Sequence, residues 1–346
     1  MTSPAGSRPS IQDTSLKGFL ELMSGHGIVR CIGVIAELGV ADVLAQGSLS
    51  VVEIARLCGA EPNALGRVMR LLAAVDVFSE SADPPLYGLT PISQLLRSDC
   101  ERSLRGFARL RGGSMSWGAW AGLEHAVRTG GSGFEHIHGS SAFEHMKGNP
   151  ADAKVFDEGM RSLSRQIAAS VVASYDFSSF HQVMDVGGGW GGLLAEILRA
   201  NGSLAGTLVD LASVITGSSE VLRSAGVEAR CEAVAGDFFH PLPRGADLVI
   251  LSHVLHNWGD ADALRILRNC RDAMGSGHTV LVLEYALTDG AAGVIAKQFD
   301  LQMLVYFGAG RERTADEYQE LLRRADLTVT RTIATSSPVL IIEARS

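Results

Sequence analysis

Two stretches of this chain hold residue types whose spacing can do chemistry. The first is Val183-Met184-Asp185-Val186-Gly187-Gly188-Gly189-Trp190-Gly191-Gly192-Leu193-Leu194. Apolar residues around one carboxylate read as a short buried strand. Five glycines in six positions then break it, and Leu193, Leu194, Ile197 and Leu198 resume at helical spacing. Glycine admits positive φ and lets a ligand approach bare backbone. The helix that follows presents free N–H groups and the positive end of its dipole. Gly187, Gly189 and Gly192 fit the G-x-G-x-x-G of dinucleotide binders, and a plain strand–helix turn has the same composition. A second strand, Gly206-Thr207-Leu208-Val209-Asp210, ends in a carboxylate 23 residues after Gly187. That carboxylate is placed to accept both hydroxyls of a ribose. Nicotinamide cofactors and S-adenosylmethionine (SAM) both carry such a ribose, so the rest of the chain must separate them.

The second stretch, Leu251-Ser252-His253-Val254-Leu255-His256-Asn257-Trp258, falls just past a fourth strand. Loops at the carboxyl ends of such strands are where ligands bind. A histidine there suits a general base, because its reference pKa of about 6.5 lets it take a proton near neutral pH. The alternative is a histidine held for structure. Between the two stretches, Gly236-Asp237-Phe238-Phe239 follows the third strand. Asp237 can accept a hydrogen bond from an adenine amino group and Phe238 can cover the ring. A surface turn with one buried Phe is the plainer account.

These residues need a sheet to position them. Strand candidates fall at 182–186, 205–209, 229–234, 247–252, 279–284, 327–333 and 337–343, with helical patterns between most of them. This is an open, doubly wound α/β sheet. The last two strands are joined by a loop too short for a helix and should pair antiparallel. A nicotinamide domain usually continues with another parallel unit, so this ending favours a Rossmann-like SAM-binding domain over residues 176–346.

Upstream, residues 1–13 are polar with Pro4 and Pro9 and read as a flexible tail. Residues 14–100 form an α-helical, winged-helix-like unit. Leu16, Phe19, Leu20 and Met23 begin a strongly apolar helix that calls for a partner surface, so the chain is expected to be a homodimer. Ser50 caps one helix, Gly59 ends it, Pro62 starts the next, and Phe78 to Leu89 reads as a β-hairpin wing. Arg56, Arg67 and Arg70 are outnumbered by Glu53, Glu61, Asp76, Glu80 and Asp83, and the whole chain carries a net charge of −8. Both balances speak against nucleic acid as a partner. Five scattered cysteines without C-x-x-C spacing fit a reducing cytoplasm and no structural zinc. No uninterrupted apolar run is long enough to span a membrane.

Residues 101–175 read as helices rich in aromatics, Met and His, a connecting region that either packs against the next domain or walls a pocket for a flat apolar ligand. His136, His138 and His145 offer a metal alternative that no carboxylate or cysteine spacing supports, so no metal is expected. Phe299, Met303 and Phe307 recur every four residues on one helix face. With Trp117, Phe156 and Met160 they are candidates for the lining of an acceptor pocket, or plain core.

Taken in order, Asp185-Val186-Gly187-Gly188-Gly189, Gly236-Asp237-Phe238, Leu255-His256-Asn257-Trp258 and Gly310-Arg311-Glu312-Arg313-Thr314 resemble the SAM-dependent O-methyltransferases of the plant caffeate and flavonoid type and their bacterial relatives in antibiotic biosynthesis. The resemblance covers nearly the whole chain, including a winged-helix-like dimerisation domain. It implies a small aromatic acceptor, SAM as methyl donor and S-adenosylhomocysteine (SAH) as product. Position by position, it implies that Gly187 meets the methionine part of SAM, Asp210 the ribose, and Asp237 with Phe238 the adenine. Met160 and Ser164 would lie near the sulfonium and the carboxylate end, and Trp258 would be a SAM-side aromatic. His256 would be the base, with Glu284 and Glu312 orienting it. Two positions depart from the pattern. Ser252 stands where the family often has Lys or Arg, which weakens one cofactor contact, and Asn257 stands where Asp is usual. Relatives with this fold that decarboxylate, hydroxylate or run pericyclic reactions form the alternative within the family, and a small-molecule-sensing DNA-binding regulator the alternative outside it.

Overall fold

The computed structural model describes residues 11–81, 83–289 and 293–346, with side chains from Ser15 onward. Two compact units divide at Ser116/Trp117. The helical connecting region expected over 101–175 is therefore split between them. Of the expected tail, residues 1–10 lie outside the described residues, and Ile11–Asp13 already belong to a helix.

The first unit opens with α1 (Ile11–Leu38), which stops where Gly39 takes φ 70°. β1 (Leu49–Ser50) leads into α2 (Val51–Cys58), whose N-cap Ser50 exchanges hydrogen bonds with Glu53. Gly59 in the left-handed region ends α2, and Pro62 opens α3 (Pro62–Ala74). β2 (Phe78–Ser81) and β3 (Leu86–Leu89) pair antiparallel as the expected wing, and β1 adds to β3. α4 (Arg105–Gly112) returns against α1. A Cβ on Gly33 would stand 2.6 Å from Gly112 Cα, so only two glycines allow that approach. Ile35, Ile54, Met69, Leu72, Phe78 and Tyr87 fill the core. The other end of α1 is bare: Leu16, Phe19, Leu20 and Met23 are each more than half exposed. Contrary to the reading from uninterrupted runs, the Ser15–Leu38 part of α1 is long and apolar enough to cross a membrane, with a hydropathy of 1.4. The same composition suits a helix that packs against a second copy.

The second unit starts with short helices α5 (Leu123–Thr129), α6 (Gly133–His138) and α7 (Ala142–Gly148), then the long α8 (Pro150–Ser174). There follow β4 (Gln182–Val186), α9 (Gly192–Ala200), β5 (Ala205–Asp210), α10 (Ser218–Ser224), β6 (Cys231–Ala235), β7 (Leu248–Ser252) and α11 (Asp260–Ala273). The chain ends with β8 (Thr279–Leu287), α12 (Val294–Phe307), the short β9 (Arg313–Thr314), α13 (Ala315–Arg324), β10 (Thr328–Ala334) and β11 (Val339–Arg345). The strand order is β10-β11-β8-β7-β4-β5-β6, with β9 beside β8. β6, β5, β4, β7 and β8 run parallel, while β11 is antiparallel to both its neighbours. The expected antiparallel ending is therefore present, and β11 lies inside the sheet rather than at its edge.

Alternation along each strand builds two cores. Met184, Val249, Val280 and Ile342 face α11 and α13, whereas Val183, Leu248, Leu281 and Ile341 face α8 and α9. The order reverses between β5–β4 and β4–β7. That switch opens a crevice at the carboxyl ends of β4 and β7, where both chemical stretches emerge.

Candidate active site

The glycine turn leaves β4 with Gly187, Gly189 and Gly191 at φ 70°, 62° and 78°. The third left-handed glycine is thus Gly191, the N-cap of α9, and Gly192 is already helical. No side chain caps α9. A Cβ on Gly189 or Gly192 would meet nothing within 4 Å, so this backbone is open to a ligand. At Gly187 a Cβ would stand 2.8 Å from Val254 Cγ2 and 3.4 Å from the Phe238 ring, which brings the second and third motifs over the turn. Asp210 closes β5, and its carboxylate accepts the Gly189 N–H at 2.8 Å and the Leu211 N–H at 2.7 Å. Burial pushes it above the usual carboxylate range.

Asp237 caps its own turn, accepting the Phe239 N–H at 2.9 Å. Asn269 on α11 holds the Phe238 carbonyl at 2.7 Å. Phe239 and Trp258 meet edge to face at 4.6 Å, with Phe238 5.9 Å from Trp258. Trp258 Nε1 is buried and has no hydrogen-bond partner among the described residues. Ser252 is the last residue of β7, and Met160 and Ser164 sit one turn apart on α8. A bare backbone turn, an uncapped helix, a carboxylate at the end of β5 and an aromatic group past β6 together fit a nucleoside with an amino-acid tail.

Across the crevice, three residues from three elements meet. His256 lies in a short turn after β7, Glu284 on β8, and Glu312 beside β9. His256 Nδ1 is 2.8 Å from Glu312 Oε1 and 3.1 Å from Glu284 Oε2, and all three side chains are buried. Glu284 Oε1 also receives the Leu255 N–H at 2.8 Å, so it fixes the backbone of the turn as well as the ring. Glu312 Oε2 accepts from the Tyr318 hydroxyl at 3.4 Å, and the Glu312 N–H donates to Asp300 at 2.9 Å. Burial alone disfavours a charged imidazole. The charges and hydrogen bonds of Glu284 and Glu312 outweigh it and push His256 up to about 10. With both carboxylates at Nδ1, Nε2 is the nitrogen left for an acceptor.

Three residues that hold this geometry, or share it, were not singled out as site residues from the sequence. Arg313 is fully buried and donates to the Leu255 carbonyl at 3.1 Å, the Trp258 carbonyl at 2.8 Å and Asp260 at 2.8 Å. It clasps the His256 turn from both ends. Gly310 passes so close that a Cβ would stand 2.9 Å from the His256 carbonyl oxygen. His253 takes φ 55°, lies 4.8 Å from the Tyr285 ring, and is pushed down to about 4 by burial. Arg313 and Gly310 flank Glu312 in the fourth motif, which was a usable signal. The motif Leu255-His256-Asn257-Trp258 singled out His256, and no comparable signal marked His253.

The acceptor-side residues are only partly brought together. Phe299 stacks on Tyr285 at 4.6 Å, next to Glu284, and Met303 is buried on the same helix. Phe307 instead stacks on Phe143 at 5.4 Å. Trp117 and Phe156 are half-buried, and Phe156 is on α8 one turn before Met160. The candidate metal histidines pack as rings: His136 on His125 at 4.0 Å, and His138 near His145 at 4.9 Å, with His145 also 2.8 Å from Asp152. Another grouping, His253, His256 and Glu284, has donor atoms within 4.8 Å of one another, close enough to hold a metal ion. In the geometry described, two of those donors serve the His256–Glu284 contact.

Residues 120–327 match the O-methyltransferase domain family, and residues 20–99 match the O-methyltransferase dimerisation domain. The chain belongs to the O-methyltransferase family. This methyltransferase is 39% identical to the phenazine O-methyltransferase of Lysobacter antibioticus, over 94% of this chain and 95% of that protein. An O-methyltransferase from neocarzinostatin biosynthesis, solved with SAM and 2-hydroxy-5-methyl naphthoic acid, is 35% identical, with a TM-score of 0.75 over 92% of this chain and 95% of that one. The aclacinomycin 10-hydroxylase of Streptomyces purpurascens is 36% identical over 92% of this chain and 86% of that protein. The methyltransferase uses SAM, and the cradle at Gly187–Gly192 and Asp210 is the part of its fold suited to hold it.

Proposed function

We propose that this chain is a homodimeric, cytoplasmic enzyme that methylates an aromatic hydroxyl on a small molecule of secondary metabolism, with His256 as general base. One observation carries the base assignment: His256 Nδ1 faces Glu312 at 2.8 Å and Glu284 at 3.1 Å. The two carboxylates fix the ring, so Nε2 alone meets the acceptor. A phenol has a pKa near 10 and is a weak nucleophile while protonated. Transfer of its proton to an imidazole of similar pKa is close to balanced, and makes the oxygen reactive at the moment of attack. SAM supplies a methyl group activated by its sulfonium. Gly187, Asp210, Asp237, Phe238, Ser252, Met160, Ser164 and Trp258 form its side of the crevice, and Phe299 and Met303 lead toward the acceptor side.

The first measurement is mass spectrometry of the protein incubated with SAM and a panel of phenols. A methylated product is expected. His256→Ala should lower turnover by roughly 10²–10⁴-fold and leave SAM affinity nearly unchanged. Equal turnover in that variant would remove the base role. Similarity to a 10-hydroxylase supports a second reading, in which SAM binds but keeps its methyl group and no methylated product forms. The same spectra separate the two by mass.

A further inference from the structure

The family reading leaves one carboxylate without a task. Asp157 lies on the face of α8 that also carries Met160, Arg161 and Ser164, one helical turn apart. It is half-buried and has no hydrogen-bond or ion-pair partner among the described residues. Arg161, the next cation on that face, sits 5.5 Å over the Trp190 ring at the glycine turn. Trp190 is itself clamped, since a Cβ on Gly217 would stand 2.5 Å from its ring. This face of α8 is thereby tied to the turn whose Gly189 N–H rests on Asp210. Burial first, and then the charge of Asp210, push the Asp157 carboxyl up to about 6. Behind the turn, Asp185 is 1% exposed and neither of its oxygens has a hydrogen-bond partner among the described residues. A Cβ on Gly188 would lie 2.5 Å from Asp185 Oδ2, so that carboxylate presses directly on the turn. Asp157 and Asp210 thus act on each other as like charges beside this turn, and among the described residues no ion pair neutralises either. Gathering like charges in a poorly solvated place is costly, and a cation offsets the cost.

We propose that Asp157 is the counter-charge for the sulfonium of SAM, and that with Asp210 it makes the pocket hold the cationic cofactor more tightly than its neutral product. The proposal rests on the methyltransferase reading. Methyl transfer forms a C–O bond on the acceptor and breaks a C–S bond, whose electron pair stays on sulfur, while the acceptor proton goes to His256 Nε2. The sulfur thereby loses its positive charge, and SAM, a net cation, becomes SAH, a neutral zwitterion. Asp157 and Asp210 do not change, so the repulsion between them returns and product release is favoured.

Isothermal titration of the wild type, Asp157→Asn and Asp157→Glu with SAM, SAH and sinefungin tests this. Sinefungin carries an ammonium in place of the sulfonium. Asp157→Asn should weaken SAM and sinefungin by about tenfold and SAH by less than about twofold, and Asp157→Glu should restore the preference. The ligand-free Asn variant should also melt above the wild type, because one of two like charges is gone. Equal weakening of SAM and SAH, or unchanged SAM binding, overturns the counter-charge role. A wild type that binds neither SAM nor SAH sinks the methyltransferase reading itself, so the two failures are told apart.

Discussion

His256, Glu284 and Glu312 form a unit in which the imidazole proton is over-determined. Two buried carboxylates at one ring nitrogen raise His256 to about 10, so its neutral, proton-accepting form becomes abundant only as the medium turns alkaline. The pH dependence follows with a definite sign. Wild-type kcat/KM should climb from neutral pH toward pH 10. Glu312→Gln removes one stabilising negative charge, lowers the imidazole pKa, and should move the rising limb acidward by about one pH unit or more. A profile that does not move would show that Glu312 contributes shape and not charge. At this scale the sequence was legible where motif and chemistry coincided, as at His256 and Asp210. It was mute at Asp157, whose significance depends on a carboxylate brought to it by a different strand.

Gly310-Arg311-Glu312-Arg313-Thr314 works as one element, and four of its residues contribute different physical devices. Gly310 allows contact with the His256 turn, Glu312 faces the ring, Arg313 holds the turn's carbonyls, and Thr314 caps α13 through Glu317. Gly310→Ala places a Cβ against the His256 carbonyl. It should lower kcat by at least about tenfold, because small misplacement of a catalytic group is costly. SAM affinity, set on the other side of the crevice, should stay within about twofold. Comparable losses in both would mean that the variant disturbs the whole sheet. Runs of Val, Ile and Leu located seven of the eight strands of the sheet to within a few residues, because burial on both faces makes such runs nearly continuous, whereas the two-residue β9 carries no such run. The close pass of Gly310 was not legible. It arises from two loops far apart in the chain, and no periodicity reports it.

At the scale of the molecule, the first unit presents Leu16, Phe19, Leu20 and Met23 along one exposed stripe of α1. Such a patch asks for cover, and the chain carries the family's dimerisation domain, so a second copy is the expected cover. Phe19→Asp combined with Met23→Asp should shift the light-scattering mass toward that of a single chain. A dimer that persists would move the interface elsewhere. The sequence pointed to this partner surface through apolar residues that a small helical unit cannot bury by itself. It pointed less well to the boundary between the units, because residues 101–116 share their helical composition with the segment that follows. One consequence of the sheet order concerns the time course of synthesis. β11 lies between β8 and β10, and its Leu340 pairs with Glu284. Of the seven strands on that path it leaves the ribosome last. The strand bearing Glu284 therefore waits, with one edge unzipped, until nearly all of this chain has emerged. A nascent chain paused before Val339 would already contain His256, Glu284 and Glu312, and would still lack the strand that pairs with the one bearing Glu284.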